Sequence, residues 1–101
     1  MPDHFDATVC SALLSLADGV KLTPVLRVRL LEISRGRRYR DIANDHEISV
    51  NTVKTESGQI LHSLGLSCRH ELEDGYRAAR RRAEEGSSEK QILELLKVRF
   101  E

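Results

Sequence analysis

Apolar residues recur every three or four positions along this 101-residue chain, and capping residues open most of these segments. The clearest start is Thr23 followed by Pro24. Thr accepts a hydrogen bond from a first-turn backbone N–H, and Pro lacks an N–H that a helix start would leave unpaired. Ser49 opens another segment, and Ser88 with Gln91 has the spacing of a capping box. This pattern predicts helices and no β-strand.

Six helices account for the whole periodic pattern. They are predicted over about 3–17, 24–35, 39–45, 50–64, 67–85 and 88–100, with Gly36, Gly65 and Gly86 at helix ends. Aromatic residues make up only 4 % of the chain, which is little for an all-β core. We therefore expect an all-α fold.

The charges are balanced overall but unevenly distributed. Sixteen Lys and Arg residues oppose sixteen Asp and Glu residues, which excludes a uniformly basic nucleic-acid-binding surface. Residues 20–40 carry seven basic residues against Glu32 alone, residues 41–75 are mainly acidic, and residues 77–82 are basic again. The blocks indicate either solvated helix faces held by ion pairs or a local nucleic-acid site.

Several functional classes are not expected. No apolar run approaches the ~20 residues of a membrane span, and no secretion signal opens the sequence. We therefore expect a cytoplasmic protein in which Cys10 and Cys68 are free, buried or half-buried thiols. No metal or cofactor site is predicted from the spacing of His and Cys, and no nucleophile–base set indicates an enzyme.

An ordered set of residues runs through positions 22–72. It comprises Leu22-Thr23-Pro24, Gly36, Ile42-Ala43, Ile48-Ser49, Thr52-Val53-Lys54-Thr55, Ile60-Leu61, Leu64-Gly65-Leu66, and Ser67 with Arg69. In this order and without a gap, the set resembles the LuxR/GerE-type helix-turn-helix domain of bacterial transcription regulators.

The resemblance implies a helix-turn-helix core of about four helices (22–82), an N-terminal helical extension (1–21) and an amphipathic C-terminal helix (87–101). The helix over 49–64 would then lie in the major groove of double-stranded DNA. The implied DNA-binding residues are Ser49, Asn51, Thr52, Lys54, Thr55, Gly58 and Gln59, with Arg37, Arg38 and Arg40 near the phosphate backbone and Arg35 beside them. His62 could add a hydrogen bond on the helix flank.

The sequence departs from the family at several positions. Glu56 replaces a usual histidine and is expected to place a carboxylate beside the groove, and Gly58 replaces a long polar side chain. Ser57 and His46 replace apolar residues, and we expect His46 to be partly buried and hydrogen-bonded. Glu56, Gly58 and the net charge of zero support an alternative function, a protein-interaction module that antagonises another regulator.

The ends of the chain suggest a homodimer. In the resembling family the helix after the recognition helix forms the dimer contact, and residues 92–100 hold six apolar residues among nine. We expect the last helix to pair with a second chain, while packing within one core is the alternative. The expected dimer or partner residues are Leu72, Tyr76, Ile92, Leu93, Leu96 and Phe100.

The 21 residues before Leu22 hold no sensor domain, which predicts a stand-alone regulator controlled by its abundance or by a protein partner, for example RNA polymerase.

Overall fold

In a computed structural model, which describes residues 3–100, the chain forms six α-helices, and no β-strand occurs in that range. The helices are α1 (His4–Gly19), α2 (Pro24–Ser34), α3 (Tyr39–His46), α4 (Val50–Leu64), α5 (Arg69–Glu84) and α6 (Glu89–Arg99). The predicted all-α fold is confirmed.

Side-chain caps set most helix starts where the sequence predicts them. Thr23 accepts from the backbone N–H three residues further on at 3.3 Å. Ser88 and Gln91 form the predicted capping box, in which each side chain accepts from the other residue's backbone N–H. α5 begins later than predicted because Cys68 takes the N-cap position and the Glu71 carboxylate accepts from the Cys68 backbone N–H.

One apolar core joins all six helices. α1 packs along α6 and α5, α2 packs on α4 and α5, and α3 packs on α4. The largest fully buried apolar side chains come from every helix: Val9, Leu13, Leu30, Ile33, Ile42, Val53, Ile60, Leu72, Ile92 and Leu96. The N-terminal extension and the C-terminal helix therefore belong to the same core as the segment over 22–82.

The prediction that the last helix pairs with a second chain is wrong for its apolar face. Five of the six expected dimer residues are buried within the chain: Leu72, Tyr76, Ile92, Leu96 and Phe100. The sixth, Leu93, is half-buried against the same core. The Phe100 ring lies against the backbone of Gly75 in α5. In a chain this short, the apolar face of α6 is needed to cover α1 and α5.

Candidate nucleic-acid interface

A turn of three residues joins α3 to α4. Glu47 adopts a left-handed conformation (φ 54°, ψ 43°) that ends α3. Ile48 donates its backbone N–H to the Ala43 carbonyl at 3.0 Å and packs its side chain against the core. Ser49 then caps α4 by accepting from the Thr52 N–H at 3.1 Å. The turn thus holds α3 and α4 in one fixed arrangement.

α4 has one buried face and one exposed face. Val53, Ser57, Ile60 and Leu64 are buried. Nine residues of α4 are exposed, and Val50 and Ser63 lie at the edges of the exposed side. The other seven cover roughly 160° of the side opposite the buried face, at 100° per residue: Asn51, Thr52, Lys54, Thr55, Gly58, Gln59 and His62. We call these seven residues the α4 outer face. All the α4 residues predicted to contact DNA lie on it, and Lys54 is its one permanent charge.

Glu56 does not lie on the α4 outer face, so the prediction of a carboxylate beside the groove is wrong. Its side chain is 14 % exposed, and its Oε1 accepts from Nε of Arg29 at 2.7 Å. Arg29 is itself only 7 % exposed. A buried guanidinium requires a carboxylate partner, and this requirement turns Glu56 towards α2.

The Arg29–Glu56 pair belongs to a larger network beneath α3 and α4. Glu32 accepts from Arg29 at 3.1 Å, from Arg37 at 3.0 Å and pairs with Nε2 of His46 at 3.0 Å. His46 is hydrogen-bonded as predicted, with its side chain 36 % exposed. The network links α2, α3 and α4 through charged groups. The spacing of the apolar residues in the sequence does not predict which of these groups pair.

The basic residues before α3 differ in their surroundings. Arg37 is held by Glu32 and, at 2.5 Å, by Asp45, so its charge is already balanced. Arg38 and Arg40 are exposed and form no ion pair with any residue in 3–100. Of the three predicted phosphate contacts, these two are available and Arg37 is largely engaged.

Arg35 points away from this region and joins α2 to α1. It donates to both oxygens of Asp6, at 3.2 and 2.7 Å, and to Sγ of Cys10 at 3.1 Å. The hydrogen bonds from Arg35, together with one from the Tyr76 hydroxyl, lower the pKa of Asp6 to about 2. Burial raises the pKa of the Tyr76 hydroxyl and of the Cys10 thiol. Arg35 is therefore a structural residue, and its suggested role beside the phosphates is wrong.

A second set of contacts ties α3 and α4 to α5. The Arg69 guanidinium lies over the Tyr39 ring at 4.6 Å and donates to the Arg37 carbonyl. The Tyr39 hydroxyl is hydrogen-bonded to Oγ of buried Ser57 at 2.8 Å. Ser57 thus replaces an apolar residue without leaving a polar atom unpaired.

Other predicted features have mixed outcomes. Cys10 is buried, but Cys68 is exposed at the start of α5, so the prediction of a buried or half-buried thiol is wrong there. Within residues 3–100 no three His, Cys, Asp or Glu side chains are grouped as metal ligands would be. None of the helices in that part of the chain has the length and apolarity to cross a bilayer.

No protein-family model, no curated protein sequence and no solved structure matches this chain. The α4 outer face and its surroundings are therefore the basis on which a function can be assigned.

Proposed function

We propose that this protein binds double-stranded DNA through the α4 outer face and regulates transcription, as its resemblance to the LuxR/GerE-type domain implies. One observation carries the proposal: seven consecutive positions around the helix circumference are exposed, and they include donors and acceptors but no carboxylate. A helix of 15 residues is long enough to cross a major groove.

The charges around α4 support this proposal. Glu32, Asp45 and Glu56 are engaged by arginines of the same chain, which limits their repulsion of phosphate. Lys54, Arg38 and Arg40 form no ion pair among the described residues. Two exposed acids of this region, Asp41 and Glu47, are likewise without one. Among the unpaired groups the cations outnumber the acids by three to two. The three engaged acids share two arginines, Arg29 and Arg37, so the region as a whole is neutral, and its exposed unpaired cations are the groups that favour phosphate.

The side chains on the α4 outer face suit base edges and phosphates. Lys54 is a donor for guanine O6 and N7 or for a phosphate oxygen. Asn51 and Gln59 each offer a donor and an acceptor, the pair that matches adenine N6 and N7. Thr52 is hydrogen-bonded to Ser49 at 2.9 Å, so these two hydroxyls act together at the start of the helix. Contacts from this end of α4 to the sugar-phosphate backbone of the DNA would fix the position of the helix along the duplex.

The test is selection of bound duplexes from a random-sequence pool, followed by mobility shift of the recovered duplex. We expect the complex to weaken as salt rises and Lys54→Ala to weaken it about tenfold, within the range for loss of one base contact. Lys90→Ala removes an exposed lysine from α6 and should leave binding unchanged.

Failure of the wild-type chain to retain any duplex at low salt would overturn the proposal. Capture of a regulator or polymerase subunit by a chain that does not bind DNA would instead support the protein-interaction function. A homodimer, if it forms on DNA, has to use residues other than the buried apolar set. Val98, 71 % exposed on α6, is the most exposed large apolar side chain between residues 3 and 100.

A further inference from the structure

Gly58 lies midway along the length of α4, on the part of the outer face next to Lys54, where a glycine is energetically unfavourable. It is the ninth of 15 residues in α4, far from either end of the helix. Glycine is the poorest residue except proline in a helix interior, because it loses the most backbone entropy on folding. A glycine at this position therefore requires a specific reason.

No reason for Gly58 is found inside the chain. Gly36, Gly65 and Gly86 have positive φ angles at helix ends, which favour glycine. Gly75 is in close contact with the ring of Phe100. At Gly58 an added Cβ would have no heavy atom within 4 Å other than those of its neighbours and its own helix backbone, and the φ angle is not positive.

We propose that Gly58 is the point at which the DNA duplex comes closest to α4, and that a side chain there would hold the helix away from the base edges. This inference rests on the proposed function and distinguishes this chain from the family it resembles, in which a long polar side chain stands at this position. Without that side chain, α4 would enter the groove more deeply here. The absence of a side chain exposes the α4 backbone itself as the contact surface. The ligand group that fits is a flat base-pair edge, including the methyl group of thymine.

The neighbours of Gly58 are arranged to contact such a surface on both sides. Lys54 and Thr55 lie one turn before it, and His62 lies one turn after it, all of them exposed. Each carries a hydrogen-bonding group, whereas Gly58 offers only its backbone. The surface at Gly58 is therefore low, and the side chains around it are polar.

The experiment compares Gly58→Ala, Gly58→Lys and wild type on the duplex that the wild-type chain selects from a random-sequence pool. Alanine should raise Tm by about 4 °C, because helix propensity improves and nothing is displaced. The same substitution should weaken DNA binding about tenfold, the size expected when one methyl group is forced into a packed contact. Lysine should also weaken binding although it adds a positive charge.

Ser63→Ala is the matched control, because Ser63 is exposed on α4 beyond the Thr52 edge of the outer face, about 140° around the helix from Gly58. It should change Tm slightly and leave binding unchanged, which separates helix stability from contact. Equal or tighter binding by Gly58→Ala or Gly58→Lys would overturn this inference and leave the proposed function standing. If the wild-type chain retains no duplex, the proposed function fails and this inference fails with it.

Discussion

Nε of Arg29 in α2 donates to Oε1 of Glu56 in α4 at 2.7 Å, and both side chains are largely screened from water. The two residues are 27 positions apart, so the pair fixes α4 against α2 across the folded core. Because the pair also keeps a carboxylate off the α4 outer face, one contact affects both stability and the charge offered to a ligand.

We expect Glu56→Ala to lower the free energy of unfolding by about 2 kcal/mol, because it leaves the buried Arg29 charge with Glu32 as its remaining partner. Glu56→Gln keeps an acceptor and should cost roughly 1 kcal/mol. Urea unfolding at neutral pH measures both. Glu94→Ala is the control, since its pair with Lys97 is exposed and 3.8 Å long, and it should change stability by no more than about 0.5 kcal/mol. If Glu56→Ala and Glu94→Ala lowered the free energy of unfolding equally, the Arg29–Glu56 pair would not be holding the helices together.

The arginines before α3 should separate into two groups. Arg38→Ala and Arg40→Ala remove exposed, unpaired charges, so each should lower the slope of log binding constant against log salt by about 0.9 and leave Tm unchanged. Arg37→Ala breaks contacts with Glu32 and Asp45 and should lower Tm with a smaller effect on the slope. Mobility shifts across a salt series, with thermal unfolding in parallel, measure both quantities. If Arg37→Ala changed the slope as much as the other two, its charge would have to be free for phosphate.

Asp6 should make the fold sensitive to acid. Its pKa is about 2 in the folded chain, compared with 3.8 for an aspartate that lacks these contacts. The pairing of Asp6 with Arg35 therefore stabilises the fold fully above pH 4. This stabilisation, roughly 1–2 kcal/mol after screening of the partly exposed Arg35, is lost as the pH falls from 4 to 2. Urea unfolding at pH 6.5, 4, 3 and 2 follows the loss.

Asp6→Asn should be less stable at pH 6.5 and should lose less stability on acidification. Asp3 also has a lowered pKa, through its hydrogen bond to Arg80, but it is exposed. Asp3→Asn is therefore the control and should keep most of the wild-type acid dependence. An Asp6→Asn profile parallel to that of the wild type between pH 4 and 2 would assign the acid sensitivity to other carboxyls.

The sequence predicts the helices well because their boundaries depend on local chemistry. Thr23, Ser49 and Ser88 cap helices that begin where the caps place them, and Gly65 ends α4 in the left-handed conformation. The α4 outer face follows from the same periodicity, since Val53 and Ile60 define the opposite side. Local signals of this kind do not depend on which helices later pack together.

The pairings between helices could not be predicted in the same way. Arg29 lies next to the apolar residue Leu30, and nothing in the local pattern shows that Glu56 is its partner. The apolar residues of α6 have the same spacing whether they bury against their own chain or a second one. Ile92 and Leu96 are covered by α1 and α5 because the short core needs them, which is a property of the whole fold.

Gly75 provides the opposite case to Gly58 and a direct test of how α6 packs. A Cβ at Gly75 would lie 2.6 Å from Cζ of Phe100, so the ring has to move if alanine is introduced. The improved helix propensity is worth about 1 kcal/mol, but overpacking costs roughly 1–3 kcal/mol, and we expect a net loss of about 1 kcal/mol. Gly58→Ala should instead gain up to about 1 kcal/mol, since its Cβ meets nothing. In a Phe100→Leu background, Gly75→Ala should lose less stability, because the smaller side chain leaves room. Urea unfolding of the wild type, the two single variants and the double variant measures the coupling between the two positions. A Gly75→Ala chain as stable as Gly58→Ala would show that Phe100 does not pack on α5.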